Sequence, residues 1–251
     1  MAHAGLTKDR AHEILTMPWE AILKAQSPMF RGFNLHAAGP VFDGINFEGN
    51  DALALIRQQT GPRISLLMGT NRDETNLYWH IYHVHDMDES LAEKLFGNRA
   101  PIVMKNYRKI PKDENFHQRF VHFLTEYIYR AGDIDMAETA SDAGQDIYLY
   151  RLDWDRQAYK ACHASETQFL MGLGSVIHDV DHSPAMKTER RNAWRLYCLY
   201  KKRHARCRGH ASWPKFDREN RRIMVFDHPC HVERAAASET DPAMPFQVFA
   251  L

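Results

Sequence analysis

Two short segments carry an acid and a histidine in the order that a hydrolase triad uses. Glu74 ends the sequence Gly-Thr-Asn-Arg-Asp-Glu, and His163 lies 89 residues later in the sequence Ala-Cys-His-Ala-Ser-Glu. In a serine triad the carboxylate accepts the imidazole Nδ1 proton, and the other ring nitrogen takes the proton from serine. By residue type alone this is a weak signal, because such pairs also arise by chance.

The elements around the two residues predict where they lie in a fold. Arg63 to Met68 is a short apolar run ended by Gly69, a pattern typical of a buried parallel strand. Ile147 to Trp154 alternates like a second strand. Helix-like and strand-like segments alternate along the chain, which favours an α/β fold. Because reacting residues of open α/β sheets lie on loops at the carboxyl ends of strands, Glu74 and His163 are expected there.

The other segments are predicted mainly from helical spacing and helix-starting residues. Pro18 is expected in the first helical turn of one of them. The predicted helices cover residues 10–15, 19–25, 52–59 (started by Asp51), 114–131 and 183–203. Residues 213–217 are predicted to form a loop and residues 222–227 a last short strand, and the tryptophans Trp154, Trp194 and Trp213 are expected in the core.

The residues around the acid and the histidine resemble the C-terminal half of the type B carboxylesterases, the α/β-hydrolase family of para-nitrobenzyl esterases and cholinesterases. Leu66 to Glu74 is similar to the family's strand and acid, and Ala161 to Glu166 is similar to its histidine segment. The resemblance runs from about residue 10 to about residue 235. It implies that Glu74 is the triad acid, that His163 is the general base, that Glu166 supports the histidine, and that no cofactor or metal is needed.

The sequence departs from this family at the histidine and at the nucleophile. Ala164 stands where glycine is usual after the histidine, which puts the backbone freedom at that position in question. No serine has the glycines of a G-x-S-x-G elbow; Ser175 comes nearest and fails at both positions. No Gly-Gly pair exists to build an oxyanion loop.

The family places the elbow and the oxyanion glycines in the half that precedes the one resembled here. The resemblance therefore implies the C-terminal half of an α/β-hydrolase fold, with a mostly parallel sheet flanked by helices and the N-terminal half absent. We expect a single partial domain over residues 1–251, truncated or split, and inactive alone. Completed by the N-terminal half, it is expected to act on a small carboxylic ester.

Two other functions fit parts of the sequence. A non-catalytic interaction protein can keep such a fold without a working triad. Val176-Ile-His-Asp-Val-Asp-His182 is similar to a metal-binding segment of cyclic-nucleotide phosphodiesterases, with His80, His83, His85 and Asp86 as further possible ligands. Those enzymes are predominantly helical, so the strand-like runs argue against this alternative. Two clusters offer three ligands where structural zinc needs four: His204, Cys207 and His210, and His228, Cys230 and His231.

The composition limits the partners and the compartment that the sequence can indicate. Thirty-two basic residues balance thirty-two acidic ones, so overall charge does not indicate nucleic acid or an anionic membrane as a partner. No run approaches the roughly 18 to 20 apolar residues that span a bilayer, and the first residues lack a signal-peptide core. The 4 cysteines form no C-x-x-C pair, which favours a reducing compartment and, by default, the cytoplasm. The sequence does not indicate an oligomeric state.

Overall fold

The computed structural model describes residues 2–27, 42–59, 61–78, 87–109, 116–155, 159–167, 213–227 and 230–235. These residues fall into two compact units. One unit contains residues 2–27, 42–49 and 87–109, and the other contains residues 50–59, 61–78 and the described residues from 116 onward. A single domain over residues 1–251 stays a prediction. No helix among the described residues is long and apolar enough to cross a membrane.

The described helices are short. They are α1 (Trp19–Gln26), α2 (Ala52–Arg57), α3 (Glu89–Phe96), α4 (Ala100–Tyr107), α5 (Phe116–Thr125) and α6 (Ala131–Asp142), with 3₁₀ turns at Ala2–Ala4, Ala11–Leu15 and Gly97–Arg99. Helices α1, α2 and α5 begin within two residues of predicted starts, whereas α3, α4 and most of α6 were not predicted. Asp51 caps α2 as expected, because its side chain accepts a hydrogen bond from the Leu53 N–H. Pro18 precedes α1 with an extended ψ of 137°, so its predicted place in the first turn was wrong by one residue.

Four strands form one mostly parallel sheet in the second unit. They are β1 (Ser65–Asn71), β2 (Asp146–Leu152), β3 (Arg222–Phe226) and β4 (His231–Arg234), in the spatial order β1-β2-β3-β4. The first three are parallel, and β4 runs antiparallel to β3. The expected α/β class is confirmed, but β3 is not the last strand. Asn71 pairs with Leu152, so β1 and β2 end side by side.

Gly69 lies within β1 and does not end it. A Cβ atom at this position would come within 2.4 Å of the Tyr150 carbonyl oxygen on β2. Glycine therefore lets the two strands pair closely, which is a recognised use of glycine inside a strand. The predicted strand started two residues too early and ended three residues too early, and the first half of β1 is more exposed than expected, with Leu67 at 37%.

Residues on alternating positions of β2 and β3 build the core on the two faces of the sheet. On one face Ile147 and Val225 pack with Ile134 of α6. On the other face Leu152 and Phe226 pack with aromatic side chains, among them Trp154 and Trp213, each 3% exposed. The core position predicted for these two tryptophans is confirmed, and Trp194 lies outside the described residues.

The helix predicted over residues 114–131 is interrupted near its end. After α5, residues Glu126–Arg130 form a π-helical turn, and the chain continues directly into α6. The Ala131 N–H bonds to the Glu126 carbonyl, five residues back. Phe120 and Leu124 are fully buried, as the amphipathic spacing predicted, whereas the π turn has no signal in that spacing. The helix predicted over residues 183–203 lies outside the described residues.

Candidate active site

The loops that follow β1 and β2 are joined by backbone hydrogen bonds. The Arg72 N–H donates to the Leu152 carbonyl at 2.8 Å, and the Asp73 N–H donates to the Ala161 carbonyl at 2.9 Å. The His163 N–H donates to the Glu74 carbonyl at 3.0 Å. These contacts hold the acid and the histidine next to each other at the carboxyl edge of the sheet, where their sequence context predicted them.

Glu74 and His163 are hydrogen-bonded through their side chains. Glu74 Oε2 lies 2.8 Å from His163 Nδ1, within the separation of about 2.6 to 3.2 Å that acid–base partners require. The second carboxylate oxygen, Oε1, accepts the Asn71 N–H at 2.8 Å. The Glu74 side chain is 6% exposed and that of His163 is 43% exposed. A buried carboxylate with both oxygens engaged therefore holds a histidine whose ring reaches the surface.

This contact changes the titration of the histidine. The hydrogen bond to Glu74 raises the pKa of His163 above its usual value of 6.5, and partial burial opposes the increase. Because Nδ1 faces a carboxylate, the neutral ring carries its proton on Nδ1 and leaves Nε2 as the acceptor. An imidazole in this state can take a proton from a hydroxyl group at Nε2, which is the task of a general base.

Glu166 joins the site through Asn71. The Asn71 side-chain amide donates to Glu166 Oε2 and to the Cys162 carbonyl, the latter at 2.9 Å. Since the backbone N–H of the same residue holds Glu74, Asn71 links the two carboxylates. Glu166 therefore lies beside the pair without replacing Glu74. Asn71 was not among the predicted site residues, although it belongs to the segment Gly69-Thr-Asn-Arg-Asp-Glu74.

The loop that carries Glu74 is also anchored to α5. The Thr75 hydroxyl donates to the Val121 carbonyl at 2.9 Å, and the Thr75 N–H donates to the Thr125 hydroxyl at 3.3 Å. The Asn76 amide donates to the Tyr159 carbonyl at 2.8 Å. All three side chains of Thr75, Asn76 and Thr125 are buried, so these bonds are shielded from water. The acid is thereby fixed to a helix as well as to a strand.

Ala164 adopts a left-handed backbone conformation next to the histidine. Its φ is +64°, a region that favours glycine because an L side chain crowds the following carbonyl. Alanine replaces the glycine that is expected at this position. The Thr167 N–H closes the turn by donating to the Ala164 carbonyl at 3.1 Å. The backbone therefore keeps the conformation that glycine favours, although Ala164 has a Cβ atom.

A third carboxyl group lies close enough to interact with Glu74. Burial is the main cause that raises the pKa of Asp133, in the first turn of α6, to about 7, and the Glu74 charge adds to the increase. Arg130 acts in the opposite direction. Asp133 therefore changes charge near neutral pH within the field of the acid–histidine pair.

Neither Cys162 nor Ser165 is presented to His163 as a nucleophile. Burial raises the pKa of the Cys162 thiol to about 11, which keeps it protonated at neutral pH, and its sulfur donates to the His163 carbonyl at 3.7 Å. The Ser165 hydroxyl is fully buried and donates to the Cys162 carbonyl. Both side chains instead stabilise the turn that carries the histidine.

The residues considered for metal binding fall mostly outside the described part of the chain. This applies to Val176–His182, to the group formed by His80, His83, His85 and Asp86, and to the group formed by His204, Cys207 and His210. Cys230 and His231 are described and their third member, His228, is not. Within the described ranges no three metal-binding side chains come together.

Comparisons with known proteins match this fold and most of the chain. A family model described as the carboxylesterase family matches residues 6–242. Similar solved structures include the Geobacillus stearothermophilus carboxylesterase Est55 (TM-score 0.70, 22% identity) and a PNB esterase (TM-score 0.67, 21% identity). Each match covers 92% of this chain and 50% of the solved chain. The chain thus spans about half the length of these enzymes, and a search of curated protein sequences found no match.

Proposed function

Because this chain belongs to the carboxylesterase family, we propose that it supplies the acid and the general base of a carboxylic ester hydrolase. Glu74 is the acid, His163 is the base, and Glu166 supports them through Asn71. The observation that carries this proposal is the 2.8 Å hydrogen bond between Glu74 Oε2 and His163 Nδ1 at the carboxyl edge of a parallel sheet.

The reaction follows from the properties of the pair. His163 Nε2 takes the proton of a serine hydroxyl while the serine oxygen attacks the ester carbonyl. The resulting imidazolium is stabilised by Glu74, and it returns the proton to the leaving alcohol to give an acyl-serine. A water molecule, deprotonated by the same histidine, then releases the carboxylic acid. Glu74 keeps its charge throughout, which is consistent with its two hydrogen-bond donors.

The serine belongs, in this proposal, to a segment that this chain does not contain. None of its serines has the glycines of a nucleophile elbow, and Ser165, the nearest in sequence to the histidine, is buried in a hydrogen bond to a carbonyl. About half of each solved relative lies outside the match, and the proposed serine belongs to a segment of that kind. The substrate is then a small carboxylic ester, and the chain alone is inactive.

The test is ester hydrolysis with and without a complementing segment. The DNA upstream of the Met1 codon is read for a frame with a G-x-S-x-G elbow, and its product is co-expressed with the chain. Hydrolysis of a short-chain nitrophenyl ester is expected only when both polypeptides are present. His163→Gln is expected to lower the rate by at least about 10³-fold. The control is His231→Gln, which removes an exposed histidine that contacts Glu233 on β4.

Two results would overturn the proposal. The first is robust hydrolysis by the chain alone that a serine-directed phosphonate abolishes, since it would place the nucleophile within these residues. The second is hydrolysis by the complemented enzyme that is unaffected by His163→Gln. Stable assembly of both polypeptides without any hydrolysis would favour the non-catalytic interaction protein, and hydrolysis lost with a chelator would favour the metal-dependent alternative.

A further inference from the structure

We propose that the π-helical turn Glu126–Arg130 is a positioning element for the acid and the histidine together. Tyr129 holds the His163 ring, and Arg130 holds the strand end that supports Glu74. The catalytic importance of this arrangement rests on the proposed function, whereas the positioning itself can be measured without any activity.

Tyr129 packs against the histidine together with a second tyrosine. The Tyr129 and His163 ring centroids lie 5.2 Å apart, and the Tyr78 and His163 centroids lie 5.8 Å apart, both with a tilt of 37°. The two tyrosine hydroxyl groups are hydrogen-bonded to each other at 2.5 Å. Tyr78 follows Glu74 by four residues, so this pair connects the acid loop to the π turn across the histidine. Such contacts restrict the ring rotation that would break the Nδ1 hydrogen bond.

Arg130 acts on the other member of the pair. Its guanidinium donates long hydrogen bonds of 3.4 Å to the Thr70 hydroxyl and to the Asn71 carbonyl. Asn71 is the residue whose N–H binds Glu74 Oε1. The Arg130 side chain is 17% exposed and is ion-paired with Glu126 at the start of the same turn. Arg130 therefore fixes the end of β1 from which the Glu74 loop departs.

The π geometry explains how consecutive residues serve both tasks. In an α-helix consecutive residues lie about 100° apart around the axis, and each lies next to the residues three and four positions before it. In a π turn the hydrogen bond spans five residues, which widens the turn by one residue. Thr125 and Val121, about one and two turns before Tyr129, contact Thr75. The widened turn then places Tyr129 against His163 and Arg130 against the end of β1.

The experiment measures exchange of the His163 Nδ1 proton with water in the 251-residue chain, labelled with ¹⁵N-histidine. The proton signal is identified by its loss in His163→Gln. Tyr129→Leu is expected to speed this exchange about threefold to tenfold, because one aromatic contact that opposes ring opening is lost. Tyr129→Phe keeps the ring and should restore most of the protection.

The matched control is Tyr127→Leu, since Tyr127 lies in the same turn but stacks on Phe123 at 5.5 Å. A second variant, Arg130→Met, is expected to speed the exchange of the His163 proton, because it removes a hydrogen bond to Asn71, which in turn binds Glu74. Its control is Arg218→Met, which also removes an arginine that is paired with carboxylates. Unfolding curves verify that each variant is folded. If Tyr129→Leu is poorly folded, Arg130→Met decides the question.

Two outcomes would overturn the positioning role. One is unchanged His163 proton exchange in folded Tyr129→Leu and Arg130→Met. The other is an equal acceleration in Tyr127→Leu, which would show a general loosening of the helix. Failure of the complementation assay would remove the proposed function and leave this result intact, because the exchange measurement requires no ester and no serine.

Discussion

The backbone N–H of Asn71 donates a hydrogen bond of 2.8 Å to Oε1 of Glu74. The side-chain amide of the same residue donates to Glu166 and to the Cys162 carbonyl. One fully buried asparagine at the end of β1 therefore provides donors to two carboxylates and to the histidine turn. Buried acceptors depend on such donors, because hydrogen bonds within the protein must replace the hydrogen bonds to water that are lost on folding.

Replacing this amide by a carboxylate should be costly. Asn71→Asp keeps the shape of the side chain but places a negative charge against Glu166 and the Cys162 carbonyl. We expect the free energy of unfolding at pH 7 to fall by about 2 to 4 kcal/mol, the range for an uncompensated buried polar group. The matched control is Asn220→Asp, where the amide donates to Asp217 in an exposed turn and the loss should stay below about 1 kcal/mol. Equal losses in urea unfolding would contradict this role of Asn71.

A substitution of Ala164, the left-handed residue beside the histidine, should increase the stability of the chain. Ala164→Gly should raise the free energy of unfolding by about 0.5 to 1 kcal/mol, because glycine adopts a φ of +64° without steric cost. Ala143→Gly is the control: Ala143 follows α6 with an ordinary φ of −77°, and glycine there should lower stability by a similar amount. A lower free energy of unfolding in Ala164→Gly would contradict this prediction. It would show that the Cβ atom of Ala164 makes a contact that stabilises the fold by more than the backbone strain destabilises it.

Asp133 predicts a pH dependence of stability. Burial, aided by Glu74, raises its pKa from 3.8 to about 7, so its contribution to stability is fully present below pH 3.8 and is lost as pH rises from there through 7. Asp133→Asn mimics the protonated form. It should therefore stabilise the chain by about 1 to 3 kcal/mol at pH 8 and change little at pH 4. Asp142→Asn, on an exposed part of the same helix, controls for loss of one acidic residue; a pH-independent effect of Asp133→Asn would contradict this assignment.

The strands of the sheet were largely predictable, because β1 and β3 are marked by apolar runs and β2 by the alternation of a strand, whereas α3 and α4 were not predicted. Errors occurred where tertiary contacts decide the outcome. Gly69 has the appearance of a strand end, but the close approach of Tyr150 makes it an interior strand residue. Helical spacing predicted α5 and its buried face, whereas the insertion of one residue into the Glu126–Arg130 turn leaves the local apolar pattern unchanged.

The site was predicted from its two reactive residues and from the segments that contain them. Glu74 Oε2 and His163 Nδ1 lie 2.8 Å apart at the carboxyl edge of the sheet, where both residues were expected, and their catalytic roles stay a proposal. Asn71, Tyr129 and Arg130 were not selected, because their links to Cys162, Tyr78 and Asn71 join residues more than 50 positions apart in the sequence. Sequence spacing does not encode such contacts.

The most direct test of this account is an NMR titration of His163 in the wild-type chain and in Glu74→Gln. The hydrogen bond to Glu74 raises the pKa of His163 above its usual value of 6.5, so the wild-type ring should stay protonated to a higher pH than an ordinary histidine. Its contribution to stability is then present below pH 6.5 and is lost as pH rises through the raised value. Exposed His231, which contacts Glu233, serves as the reference in the same spectra. The account predicts that Glu74→Gln lowers the pKa of His163, and identical titrations of His163 in the two proteins would contradict it.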